Sequence, residues 1–333
     1  MTAPARVAVI GSNSFSGAHC VKALLARGVR VVGISRSAEP DPVYLPYRWA
    51  DPAAPEFRFV QADINADLDA IMAILDAERP QWVINFAAQS MVAESWQNPL
   101  HWYQTNVMAT IAFHERLRHC DYLERYVHVT TPEVYGSTGG TVREDAPFRP
   151  STPYAVSRAA ADMSLAAYHA AYGFPVVFTR AANVYGPGQP LYRLIPKAML
   201  AFRRGQTLPL HGGGHSERSF SHIDDVVAAT LLAAADGEVG ATYHISTERW
   251  ISIRALTELM CTTIGVDFAS HVNIVGDRLG KDAAYRLDST KIRSELGWSD
   301  KITLEQGLLE TLAWLDRHLD TLQRHPVDYQ HKP

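Results

Sequence analysis

Along the first 180 residues, short apolar runs alternate with stretches whose apolar positions recur every three or four residues. The runs Arg6–Ile10, Val29–Ile34, Phe57–Val60, Trp82–Phe86, Tyr126–Thr130 and Val176–Thr179 are rich in β-branched and aromatic residues and predict buried strands. Between them the spacing predicts helices near 17–27, 67–78, 100–119 and 153–172. Strands alternating with helices imply right-handed crossovers and a parallel sheet covered on both faces, an α/β, Rossmann-type doubly wound arrangement. After about residue 185 the pattern loosens. Turns at Tyr185-Gly186-Pro187-Gly188 and Gly212-Gly213-Gly214 interrupt shorter elements, and the clearest helices lie near 224–236 and 303–318. The expectation is a first domain over 1–180 and a smaller C-terminal α/β lobe built mainly from 181–333, with the chain crossing between them. Ligands of open parallel sheets bind outside the carboxyl ends of the strands, so the cleft between the lobes is the expected site.

Composition narrows the partners. Lys and Arg total 31 against 35 Asp and Glu, a net charge of −4, and no basic block of the kind that tracks a phosphate backbone is present, which argues against nucleic acid. No apolar run reaches membrane-spanning length, and the chain enters a strand almost at once, so neither a membrane span nor a signal peptide is expected. Cys20, Cys120 and Cys261 are odd in number, far apart and without ligand spacing. They read as thiols of a reducing compartment, hence a cytoplasmic protein.

The first strand is followed by Gly11-Ser12-Asn13-Ser14-Phe15-Ser16-Gly17, which opens a helix. A pyrophosphate needs little side chain here, because it approaches backbone N–H groups at the helix N-terminus. A tight strand-to-helix turn is the plain alternative, but the place, at the first strand of a βα series, favours a dinucleotide. An acid at the end of the second strand would hold a ribose 2′-hydroxyl. Ser35-Arg36-Ser37 stands there instead and suits the 2′-phosphate of NADP better than NAD, with a solvated Arg36 as the competing reading.

Further along come Val129-Thr130-Thr131-Pro132-Glu133-Val134-Tyr135-Gly136, then Ser151-Thr152-Pro153-Tyr154-Ala155-Val156-Ser157-Arg158, with Thr131 and Tyr154 twenty-three residues apart. That gap suits a strand, a loop and the next helix. With Thr105-Asn106-Val107 and Arg180-Ala181-Ala182-Asn183-Val184-Tyr185-Gly186-Pro187, these segments resemble the extended short-chain dehydrogenase/reductases of the NAD-dependent epimerase/dehydratase family, and among them the nucleotide-sugar 4,6-dehydratases. The resemblance covers essentially the whole chain. It departs at three positions: Ser14 replaces the middle glycine, Arg158 the lysine of the Tyr-x-x-x-Lys pattern, and Pro132 an aspartate found in dTDP-glucose enzymes.

The resemblance implies roles. Tyr154 is the base that takes a proton from a sugar hydroxyl, with Thr131 beside it. Arg158 supplies the cation that favours the phenolate and bonds the nicotinamide ribose; arginine keeps the charge but is a planar fork. Glu133 removes the C5 proton once C4 is oxidised, so that water leaves from C6. The plain alternative for Glu133 is a loop ion-pair partner. Gly11, Ser14, Phe15, Ser16, Gly17, Ser35, Arg36, Asp63, Ile64, Ala87, Ala88, Gln89 and Asn106 fall on the cofactor, together with Tyr154 and Arg158. Asp63 could equally be a strand-end cap. Ser90, Asn183, Arg193, Arg218 and Arg278 join Thr131 and Glu133 on a nucleotide-diphosphate sugar. Proline cannot protonate a leaving hydroxyl, but GDP-mannose 4,6-dehydratases also lack that aspartate.

Three functions stay open at this point: a 4,6-dehydratase, a 4-epimerase or reductase on the same scaffold, and a non-catalytic dinucleotide-binding regulator. No metal is called for, and His211, His215 and His222 read as polar loop residues. The helices near 100–119 and 153–172 carry apolar residues beyond one stripe (Trp102, Tyr103, Phe113; Met163, Leu165, Tyr168, Tyr172). In relatives the equivalent pair forms a dimer interface, so the resemblance implies a homodimer.

Overall fold

The computed structural model describes residues 4–49, 57–138, 140–276 and 286–332. Seven parallel strands form its central sheet: β1 (Arg6–Ile10), β2 (Arg30–Ser35), β3 (Phe57–Gln61), β4 (Trp82–Asn85), β5 (Arg125–Thr130), β6 (Val176–Ala181) and β7 (Thr242–Ile245). Their order is β7-β6-β5-β4-β1-β2-β3. The winding reverses between β1 and β4, whose pairing runs from Val7 opposite Trp82 to Ile10 opposite Asn85. That reversal opens a crevice at the carboxyl ends of the strands.

Alternation along the strands fills both faces. Ala8 and Ile10 of β1 join Ile34, Ile71, Phe113 and Leu165 on one side, while Val7 and Val9 join Val21, Leu24, Val31 and Val227 on the other. The first face is covered by α2 (Leu68–Glu78), α3 and α4 (Pro153–Tyr172). Helix α3 runs without a break through Pro99–Tyr103, Gln104–Ala109 and Thr110–Leu117, its middle segment a wider π turn. The second face is covered by α1 (Phe15–Leu25) and by α6 (Ile223–Asp236).

The six strands and four helices expected from periodicity in the first half are all present within a residue or two of their expected bounds. The seventh strand lies beyond that half and was not expected. Thr242-Tyr243-His244-Ile245 is short, half polar and paired only with β6. Its buried His244 is satisfied by Tyr135, 2.7 Å away, and its backbone N–H by Glu144, partners that no local pattern reveals.

A second core lies beside the sheet's carboxyl edge. It is built from α5 (Leu194–Arg203), α7 (Ile253–Ile264) and α8 (Leu304–Arg317), around Ile195, Met199, Leu256, Met260, Leu308 and Leu315. Trp314 ties it to the first half by donating to the Val43 carbonyl at 3.1 Å. Among the described residues no helix is long and apolar enough to cross a membrane.

Two expectations are revised. His222 is not a loop residue: it is buried and caps α6, accepting from the Asp224 N–H at 3.3 Å. Trp102, Phe113 and Leu165 belong to the core, whereas the apolar side chains that α3 and α4 expose are Leu100 and Met108 on one and Val156, Met163 and Tyr172 on the other.

Candidate active site

The turn after β1 is shaped by steric necessity. Gly11 has φ +79°, and a Cβ there would lie 2.8 Å from the Ala87 nitrogen. A Cβ on Gly17 would overlap the Gly11 carbonyl oxygen. Ser14, at the place of the middle glycine, has φ −73° and needs no glycine. Its hydroxyl donates to the Gly11 carbonyl at 2.7 Å and accepts from the Gly17 N–H at 3.2 Å, so it is the N-cap of α1. The departure from the glycine pattern is thereby accounted for, and the first-turn residues Phe15 and Ser16 still line the cleft.

A cavity of about 160 Å³ lies over this turn, bordered by Gly11, Ser14, Ser35, Arg36, Asp63, Ile64, Ala87, Ala88 and Gln89. Ser35 is engaged within the fold, accepting from the Asn13 N–H at 3.1 Å. The Asp63 carboxylate accepts from Asn65 N–H and Nδ2 at 2.9 and 2.8 Å, as a strand-end cap does. Asn106 borders neither cavity. It is wholly buried in the π turn of α3, where it accepts from the Gln89 N–H at 2.8 Å and donates to the Gln89 carbonyl at 3.0 Å. It therefore holds the backbone of the Ala87–Gln89 segment in place from behind.

This cavity opens into a cleft of about 1120 Å³. Thr131, Glu133, Tyr154 and Arg158 line it, as do Ser90, Asn183, Arg193 and Arg218. Arg278 lies outside the described residues. The catalytic candidates converge for local reasons. Thr131 directly follows β5 and caps the turn Pro132–Tyr135, accepting from the Glu133 N–H at 3.3 Å. Pro132, already fixed near helical φ, occupies the first position of that turn and so helps to place Glu133. Beside it Thr152 caps α4, with Pro153 at its first position. Tyr154 and Arg158, one helical turn apart, share the face toward β5, where Arg158 donates to the Val129 carbonyl.

The protein's own groups do not by themselves lower the pKa of Tyr154. Burial pushes the phenol above its ordinary value, and the Glu133 carboxylate adds to the rise. Arg158, a hydrogen bond with Thr131 and Arg193 oppose it without prevailing. Further positive charge on the cleft side of the ring is what ionisation requires.

The residues fit a dinucleotide. Gly11 and Gly17 admit no Cβ against the neighbouring backbone, so the turn stays tight and bare of side chains with Gly11 bordering the small cavity, and Arg158 Nε is buried with no hydrogen-bond partner among the described residues. One part of the cleft was missed by sequence reasoning. His325, Pro326, Asp328, Tyr329, Gln330 and Lys332 form a wall of it, although nothing in their spacing marks them.

A parallel sheet wound in this order, a glycine turn at its switch point and an adjacent Thr/Tyr pair in the cleft define the extended short-chain dehydrogenase/reductase class. The chain belongs to the GDP-mannose 4,6-dehydratase family, whose model matches residues 9–311. It is 35% identical to a dTDP-glucose 4,6-dehydratase of Streptomyces niveus, over 93% of this chain and 92% of that protein. It is 36% identical over 78% of its length to a trifunctional UDP-glucose 4,6-dehydratase/3,5-epimerase/reductase of Arabidopsis thaliana, of which it spans only 39%. Its fold superposes on the dTDP-glucose 4,6-dehydratase DesIV of Streptomyces venezuelae, solved with NAD and TYD bound, with a TM-score of 0.86 at 34% identity, covering 95% of this chain and 98% of that one.

Proposed function

We propose that this chain is a nucleotide-diphosphate-sugar 4,6-dehydratase, a lyase that yields a 4-keto-6-deoxy sugar. The observation that carries the reading is that Glu133 and Tyr154, a carboxylate and a phenol, face one cleft and sense each other's charge. A bound nicotinamide dinucleotide supplies reversible hydride acceptance, held by the Gly11–Gly17 turn, the Ala87–Gln89 segment and Arg158. Tyr154 takes the proton of the sugar C4 hydroxyl. With C4 at the ketone level the C5 proton is acidified, and Glu133 removes it. Pro132 offers no acid, so Glu133 passes that proton to the departing C6 oxygen, and one water leaves. The C5–C6 double bond so formed takes back the hydride at C6 and a solvent-derived proton at C5, which gives the 4-keto-6-deoxy product with no net redox change. Asn183, Arg193 and Arg218 grip the diphosphate and border the base, with Arg278 assigned to the same task by resemblance alone.

We read the cofactor as NADP over NAD. Arg36 and Ser37 stand at the end of β2 without an acid there, and Arg36 borders both cavities. The dinucleotide domain is 1–180, and the sugar-binding lobe comes mainly from 181–333. The exposed Leu100, Met108, Val156, Met163 and Tyr172 on α3 and α4 support a homodimer through these helices, which light scattering tests directly. Unpaired Cys20, Cys120 and Cys261 support a cytoplasmic setting.

The deciding experiment is a panel of GDP-, dTDP-, UDP- and CDP-sugars followed by mass spectrometry. Loss of one water is expected, together with solvent deuterium at C5, and Glu133→Gln abolishes both. Pro132 favours one second reading, a 4-epimerase, because the acid of the dTDP-glucose enzymes is absent there. An isomer of unchanged mass would establish that reading, and absence of any turnover would leave a dinucleotide-binding regulator.

A further inference from the structure

Residues 325–332 cross the cleft from one lobe to the other. His325 meets Asp41 at 3.4 Å and packs edge-on against Tyr44, at the mouth of the cofactor half. Asp328 pairs with Lys197 of α5 at 2.7 Å, and Tyr329 packs against Tyr192, both on the sugar side. His331 returns to α3, within 2.8 Å of His101 Nδ1 and stacked on the buried Trp102, with ring centres 5.0 Å apart. Finally the Lys332 carbonyl accepts from Gln89 Nε2 at 2.8 Å and from Arg36 at 3.1 Å, while its ammonium lies 3.4 Å from Ser37 Oγ. Gln89, Arg36 and Ser37 all border the small cavity over the glycine turn.

We propose that residues 325–332 are a retaining strap of the dinucleotide site, closing over a bound nicotinamide cofactor and slowing its release. The inference rests on the dinucleotide reading above. The segment walls the cleft from outside, so a ligand held between it and β1–β2 leaves only when it lifts. Its anchors are suited to lifting. They are the Asp328–Lys197 and His325–Asp41 pairs, ring contacts, the His331–His101 contact and a few hydrogen bonds at Lys332, with no helix or strand that must unfold. Retention has a chemical use. Dehydration to a keto-deoxy sugar is redox-neutral overall, so one dinucleotide serves many turnovers, and its loss midway strands an oxidised sugar.

The test follows NADH and NADPH fluorescence on the full chain, with release measured by stopped-flow chase. Two variants are compared: a chain lacking 325–333, and Asp328→Ala combined with His331→Ala, which leaves the segment in place but undocked. Release is expected to quicken about tenfold in the first and about threefold in the second, since changes at one site act mainly on dissociation. The proposal is overturned if either variant, folded by circular dichroism, releases the dinucleotide at the parent rate. It is equally overturned if deletion speeds binding alone, which would make the segment an obstacle. If the full chain binds neither dinucleotide, the cofactor reading itself fails, an outcome visible before any variant is compared.

Discussion

The Asp162 carboxylate lies 2.9 Å from the Arg180 guanidinium, both sealed from solvent beside the strand that leads into Thr131. Thr130 of that strand donates to the same carboxylate at 3.0 Å, and Arg180 reaches on to the Tyr135 hydroxyl. Burial alone would raise the Asp162 pKa. Arg180, His128 and Arg158 together overcome that and hold it at about 2. Asp162→Asn therefore leaves a buried arginine without its counter-ion and is expected to destabilise by about 3 kcal/mol in urea unfolding. The sign with pH follows from a depressed carboxylate. The pair's contribution is complete above the ordinary Asp value of 3.8 and fades as pH falls toward about 2. A parent and an Asp162→Asn chain of equal stability at neutral pH would refute this.

Buried histidines titrate earlier. His114, His128 and His244 all have pKa values lowered by burial, His244 to about 3 from an ordinary 6.5. Below 6.5 the unfolded chain gains protons that the native one refuses, so stability is full above that value and falls as the medium acidifies. His244 alone accounts for roughly 3 kcal/mol by about pH 4.5. Unfolding free energy measured between pH 7 and 4.5 should decline, and His244→Gln should flatten the decline while lowering stability at pH 7 through the lost Tyr135 contact.

Ser14 gives a prediction that separates folding from cofactor binding. Ser14→Ala removes the cap of α1 and should cost about 1 kcal/mol, whereas Ser14→Gly should cost only a few tenths, because glycine leaves the N-terminal amides open to water. Gly17→Ala is a different change, since its methyl overlaps the Gly11 carbonyl and must displace the turn. It should abolish dinucleotide fluorescence binding even where the chain still folds. A Gly17→Ala chain that binds NADH and NADPH like the parent would contradict the steric account of this turn.

What could be read from sequence and what could not divide along physical lines. Thr131, Glu133, Tyr154 and Arg158 were legible because each sits in a local pattern, a strand end or the first turns of a capped helix, whose geometry follows from neighbours a few residues away. The sheet's first six strands were legible because parallel strands buried on both faces are uninterrupted apolar runs. Strand β7 was not, because His244 is compensated by Tyr135, more than a hundred residues distant. The wall formed by 325–332 was not, because its partners Arg36 and Gln89 lie at the other end of the chain. The rise in the Tyr154 pKa was not legible for the same reason: the depth of its burial is a property of the packed cleft, not of the Tyr-x-x-x-Arg spacing.

Arg158 is the substitution whose consequence is most directly measurable. Of the charged side chains that act on Tyr154, it is the one that most favours the phenolate. Removing that charge with Arg158→Met should raise the phenol's pKa further. The acid limb of the kcat profile should then move to higher pH by about one unit, with kcat near pH 7 falling about tenfold. Arg158→Lys keeps a cation on the same face of α4 but gives up the planar fork that reaches the Val129 carbonyl. It should therefore leave the limb within about half a unit of the parent, and any loss it causes should fall on dinucleotide affinity. The comparison needs substrate saturation, so that kcat reports the bound complex. Coincident acid limbs for the methionine and lysine variants would remove Arg158 from the ionisation of Tyr154 and leave it only the task of binding.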